Sequence, residues 1–198
     1  MGNKRISLTK IIKKLTWCEK TFYFFLLLIA FMITLNYAKN YHGIKENFEK
    51  RGELVVKKGD NIYDDFYAEI YDKLVFYKQK NDFEVGTVKK ITKLSKTSNI
   101  LDIGSGTGHH VAEFTNNGFK AQGIDISPSM VKISQDKYPT SKYVVADALN
   151  GMTFPQQSFT HLTCLYFTVY YIKNKRQFFE NCYSWLAPGG YLALHLVD

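Results

Sequence analysis

The chain has 198 residues, 45% of them hydrophobic, and a formal net charge of +8. That length accommodates one domain with a substantial core and a short surplus. Three cysteines, Cys18, Cys164 and Cys182, form no CxxC pair and no Cys/His cluster, so the reading includes no metal site and no disulfide framework, only reduced intracellular thiols.

The charge is uneven: residues 1–100 hold 19 Lys/Arg against 11 Asp/Glu, and residues 101–198 hold seven of each. The basic excess starts in a segment over residues 1–20. Ile6 stands where a myristoylation signal needs Ser or Thr, so Gly2 is not read as lipidated. Residues 21–38, TFYFFLLLIAFMITLNYA, carry no charge. As a helix they would span ~27 Å, near the ~30 Å hydrocarbon core of a bilayer, with Trp17, Tyr23, Tyr37 and Tyr41 near its ends as interfacial aromatics. The expectation is a single-pass transmembrane helix. A cleaved signal peptide is the rival, but Asn36-Tyr37-Ala38-Lys39 is a poor cleavage site; a buried core helix would usually show a polar face. Both flanks are basic, the front more so, which by charge keeps the N-terminus cytoplasmic and the rest of the chain across the membrane.

Residues 39–60 are polar and charged and read as a tether to a domain over 61–198. A helical stripe opens that domain: Tyr63, Phe66, Tyr67, Ile70, Tyr71, Leu74 and Val75. A second helix, 83–94, turns Val85, Val88, Ile91 and Leu94 inward. Five lysines between Lys78 and Lys93 form a solvated face around it, with no nucleic-acid motif, so no nucleic-acid partner is expected.

The most informative stretch is Ile100-Leu-Asp-Ile-Gly-Ser-Gly-Thr-Gly-His109. Its apolar residues suit a strand buried on both faces, and the glycines suit a sharp turn into a helix whose N-terminus favours a carboxylate or phosphate. A second strand ends in Asp125, 21 positions after Gly104 and close to the ~20 expected between a glycine turn and a ribose-binding acid. The dinucleotide fingerprint fits poorly, because its third glycine would fall on His109. Asp102, two residues ahead of the first glycine, suits a ligand with an ammonium group. Asn116-Asn117-Gly118 stops the intervening helix, and Ser127-Pro128 starts the next. Further strands are expected over 143–146, 159–166 and 191–197, with an amphipathic helix over 175–186.

Together Leu101–Gly108, Gly123–Ser127, Ala146-Asp-Ala148 and Leu186-Ala-Pro-Gly-Gly190, in this order, resemble the class I S-adenosylmethionine-dependent methyltransferases from about Tyr63 to Asp198. The resemblance implies an α/β, Rossmann-like, doubly wound and mostly parallel sheet, and S-adenosyl-L-methionine as cofactor. Asp102 and the turn holding Gly104, Ser105, Gly106 and Gly108 would meet the methionine end, and Asp125 the ribose. Ile126, Asp147 and Ala148 would meet the adenine. Met130 presses on the adenine or serves as plain core; Asp147 has a surface-turn alternative. Tyr63 and Tyr67 are the lid candidates among tyrosines that otherwise pack on the sheet. No Asn/Asp-Pro-Pro-Tyr sequence occurs, which argues against methylation of adenine or glutamine nitrogen. His161 reads as packed within a strand, and His195 as an active-edge residue or a structural one.

The family's sheet has seven strands and this sequence supplies five, which reads as a C-terminally incomplete domain. No catalytic base stands out, because an activated sulfonium needs mainly alignment. The expected function is methyl transfer to an unidentified small molecule, lipid or protein from a membrane anchor, with the domain facing the cytoplasm, where the cosubstrate is found. A non-catalytic binding module of the same fold and an NAD-dependent oxidoreductase are the alternatives.

Overall fold

The computed structural model describes residues 15–42 and 56–197, in two compact units that divide between Val55 and Val56. The sequence readings for residues 1–14 and 43–55 lie outside the described residues.

In the first unit, helix α1 (Trp17–His42) covers the charge-free run and continues into the residues read as a tether. Thr16 and Glu19 start it reciprocally: the Thr16 backbone N–H donates to Glu19 Oε2 at 2.8 Å, and the Glu19 N–H donates to Thr16 Oγ1 at 3.4 Å. Residues 17–37 are long and apolar enough to cross a membrane, and none of that window is buried.

The second unit opens with a 3₁₀ turn (Gly59–Ile62) and helix α2 (Asp65–Val75), capped by Asp64, whose Oδ1 accepts from the Tyr67 N–H at 3.0 Å. Its stripe is not a core stripe. Only Ala68 is fully buried, while Phe66 and Leu74 are 69% and 64% exposed, because α2 packs mainly on one neighbouring helix. Helix α3 (Lys78–Ile91) begins five residues before the expected start. Val85 and Val88 are buried as expected and Leu94 packs behind them, but Ile91 faces solvent.

Five parallel strands follow: β1 (Asn99–Ile103), β2 (Lys120–Asp125), β3 (Lys142–Val145), β4 (Phe159–Cys164) and β5 (Leu186–Leu194), in the order β3-β2-β1-β4-β5. The helices between them are α4 (His109–Asn116), α5 (Pro128–Lys137), α6 (Thr168–Tyr171) and α7 (Lys175–Trp185). Central strand β1 is buried on both faces, as its apolar run requires. Ile100 packs with Val85, Val88, Phe114 and Phe119; Leu101 and Ile103 pack on the other side with Leu162, Phe178 and Trp185. Cys164 and Cys182 belong to this second layer, where burial pushes both thiols up, Cys182 to about 12. The described cysteines are all free.

Two strand boundaries differ from expectation. Strand β4 ends at Cys164 because Tyr166, at φ +58, turns the chain away. Strand β5 begins at Leu186, which pairs with Phe159 before an irregularity at His161. The sheet order reverses direction on either side of β1, and in such sheets ligands bind beyond the carboxyl ends of the strands at that switch point.

Candidate active site

The chain leaves β1 at Ile103, and the Gly104 and Ser105 N–H groups both donate to Ile124 O, at 2.8 and 2.9 Å. This ties the glycine turn to β2 and brings Asp125 beneath it. Asp125 Oδ2 accepts from the Gly106 N–H and Oδ1 from the Ser127 N–H, both at 2.9 Å, which fixes the carboxylate plane. Gly106 has φ +52 and nothing within 4 Å of where a side chain would begin, so it faces open space. Gly108, at φ +89, is different: a Cβ there would lie 2.7 Å from Ser134 Cβ and 2.8 Å from the Tyr143 ring.

Two adjoining cavities open above the strands, of about 270 and 200 Å³. Asp102, Ser105 and Tyr67 line the larger one; Tyr63, Gly104 and Gly106 line both. Asp125, Ile126, Met130, Asp147 and Ala148 line the smaller. Eleven of the twelve expected site residues therefore surround one crevice. Gly108 does not, because its hydrogen side is filled by Ser134 and Tyr143. The Ser105 hydroxyl is tucked against Gly123. Met130 is 1% exposed and serves core and crevice together. Asp147 Oδ1 accepts from the Leu149 N–H at 2.8 Å, closing its own turn.

Tyr166, Thr168 and Tyr171 lie on the 165–171 edge to which the family resemblance assigns substrate contacts, whereas Lys80, Asn81 and Glu84 were not singled out from the sequence as site residues. Thr168 and Tyr171 stand on the boundary between the cavities; Asn81, Glu84, Lys80 and Tyr166 line the far wall of the larger. A signal for two of them exists: Asn81 and Glu84 are polar residues in helical register with buried Val85 and Val88. Asp102 is 2% exposed and accepts from Thr163 Oγ1 at 2.6 Å, and burial pushes its carboxyl up. Burial pushes the Glu84 carboxyl up too, but His110 at 2.9 Å and Lys80 at 3.3 Å outweigh it and hold Glu84 below the usual range. His195 lies just past β5, its Nδ1 3.3 Å from Glu84 Oε1 and its ring stacked on Phe167, behind the crevice wall. His161 is packed as expected: it stacks on Tyr191, and burial lowers its pKa.

Residues 101–194 match the family model described as a methyltransferase domain. Over that segment the chain carries a methyltransferase domain of the class I S-adenosylmethionine-dependent kind. It is 26% identical over 145 residues to phosphoethanolamine N-methyltransferase of Plasmodium falciparum, covering 68% of this chain and 53% of that protein. It is 32% identical over 114 residues to demethylmenaquinone methyltransferase of Chlorobaculum parvum, covering 56% and 46%. A solved phosphoethanolamine N-methyltransferase 2 of Haemonchus contortus, in complex with phosphomonomethylethanolamine and S-adenosylhomocysteine, superposes with a TM-score of 0.61 at 22% identity, over 71% of this chain and 35% of that one. The chain spans about half the length of the curated relatives it matches. S-adenosylmethionine is the methyl donor of this methyltransferase family, which removes the nicotinamide alternative.

Proposed function

We propose that this chain transfers a methyl group from S-adenosylmethionine to an acceptor that enters the larger cavity, and that it does so anchored to a membrane by α1, with the domain facing the cytoplasm. The observation that carries the reading is the pairing of Gly106, open to the crevice, with Asp125, which accepts from the Gly106 N–H and lines the smaller cavity. That cradle fits the cofactor: Asp125 would accept the ribose hydroxyls, and Ile126, Met130, Asp147 and Ala148 would flank the adenine. Asp102 and the backbone of Gly104, Ser105 and Gly106 would receive the methionine end, where an ammonium group offsets the cost of burying the Asp102 carboxyl. Tyr63 and Tyr67, in edge contact at 5.6 Å, would close over the top.

When bound, the cofactor supplies an already activated sulfonium methyl group. The protein's own part is alignment and exclusion of water, and alignment alone is worth ~7–11 kcal/mol. The test is calorimetry of S-adenosylmethionine and, separately, NAD on the full chain in detergent micelles. Micromolar binding of the first alone is expected, weakened about tenfold or more (~1.4 kcal/mol) by Asp125→Ala. A folded protein that binds neither ligand would refute the enzyme reading.

A further inference from the structure

We propose that the methyl acceptor is an amine, and that its ammonium takes the position now held by the chain's own Lys80. The proposal rests on the methyltransferase reading above, since it assigns the acceptor of that same site. Lys80 Nζ lies 3.4 Å from the centre of the Tyr166 ring and 3.3 Å from Glu84 Oε1. An aromatic face and a carboxylate converging on one ammonium are what holds an organic cation. Lys80 reaches this point from the first turn of α3 with its side chain 35% exposed, so it is a tethered stand-in that can swing out.

Three further observations belong to the same wall. Tyr166 holds its ring there from a left-handed backbone conformation, φ +58, which tyrosine rarely adopts and which is characteristic of functional sites. Asn81 is 7% exposed and lines the same cavity, and its Oδ1 has no hydrogen-bond partner, so it can accept an N–H. Glu84 is kept as a carboxylate by its neighbours; displacing Lys80 exchanges one ammonium for another and never leaves that charge alone. The rings of Tyr71, Tyr77 and Phe167 complete the lining.

For transfer, the bound ammonium releases one proton to solvent at the open mouth of the crevice. The freed lone pair then forms the nitrogen–methyl bond as the methyl–sulfur bond of the sulfonium donor breaks, and that electron pair stays on sulfur. Lys80 thereby acts as a plug that any acceptor must displace, which favours amines over neutral molecules of the same shape.

The full chain in detergent micelles, saturated with S-adenosylhomocysteine, is titrated calorimetrically with choline and separately with 3,3-dimethyl-1-butanol, its uncharged counterpart in shape. Choline is expected to bind about tenfold tighter or more. Glu84→Gln and Tyr166→Asn should weaken it, asparagine being tolerant of the left-handed backbone, and Lys80→Ala should strengthen it. Equal binding of the two probes, binding of neither, or weaker choline binding in Lys80→Ala would overturn the proposal. Release of S-adenosylhomocysteine during turnover separates the two levels: ethanolamine should support it and ethylene glycol should not. A protein that binds S-adenosylmethionine but methylates only uncharged acceptors would end the amine reading and leave the methyltransferase reading standing.

Discussion

Gly104, Gly106 and Gly108 all take positive φ, yet only the first and last are also held to glycine by a neighbouring side chain. A Cβ on Gly104 would strike Thr168 at 2.3 Å, one on Gly108 would strike Ser134 and Tyr143, and one on Gly106 would meet nothing. Gly108→Ala should therefore cost stability twice, through roughly 1–2 kcal/mol of left-handed backbone strain and about 1–3 kcal/mol of overpacking, read as a lower melting temperature. Gly106→Ala should carry only the ~1–2 kcal/mol backbone cost but lower S-adenosylmethionine affinity about tenfold, because its methyl group enters the crevice. Similar affinity losses in the two variants would mean that both glycines face the ligand. The motif spacing in the sequence located this turn and Asp125 correctly, since both depend on short local runs. It could not tell a glycine that faces open space from a packing one, because that distinction is made by Ser134 and Tyr143, distant in sequence and near in space.

At the scale of elements, two carboxylates fasten α2 over the site: Asp65, whose Oδ1 accepts from Ser129 Oγ at 2.5 Å, and Asp72, which makes the wider set of contacts. Asp72 accepts from Thr107 Oγ1 at 2.5 Å, sits 2.9 Å from His109 Nε2 and pairs with Lys137 Nζ, joining α2 to the glycine turn, α4 and α5. Phe76, just past the end of α2, stacks on the same His109 at 3.6 Å. Burial pushes the Asp72 carboxyl up, but His109, Lys137 and Thr107 outweigh it and hold it well below the usual range. A depressed folded-state value means that this fastening is fully present above the ordinary aspartate value near 4 and is lost as pH falls below it. Asp72→Asn should remove about 1–3 kcal/mol at neutral pH, seen as faster amide exchange across residues 65–75, and the wild-type excess protection should begin to shrink as pH falls below about 4. Unchanged exchange in the variant would place the fastening elsewhere, at Asp65 or at the Ser127 hydroxyl that donates to Tyr63 O at 2.6 Å. The helices were less legible than the strands for a physical reason. Parallel strands buried on both faces announce themselves as short apolar runs. Helix α3 instead opens with Lys78–Asp82, a polar turn that hides its start from an apolar count. Its crevice-facing Asn81 and Glu84 look like surface residues until the fold places them.

For the whole molecule the open question is where α1 resides. Its Phe, Leu, Ile and Met side chains are exposed around the helix, among them Phe22, Leu27, Phe31 and Ile33 at about 60–70% each, and a helix apolar all round belongs in a core or a bilayer. Its two threonine hydroxyls are satisfied within the helix: Thr21 Oγ1 donates to Cys18 O and Thr34 Oγ1 to Phe31 O, both at 2.8 Å, which removes most of their cost in hydrocarbon. The full chain should therefore stay in the membrane pellet through alkaline carbonate and leave it only in detergent. Leu27→Lys with Phe31→Lys places two charges near the middle of the span at ~2.5–3.5 kcal/mol each, and should shift the protein to the soluble fraction with its cofactor affinity intact. Mass spectrometry of the membrane-bound protein decides between anchor and cleaved leader, because a leader would leave no peptide covering residues 17–37. Protease added to sealed vesicles of known sidedness then tests orientation. Digestion of the domain from the cytoplasmic face is expected, and protection there would mean that the basic front flank, and not the supply of methyl donor, sets the topology.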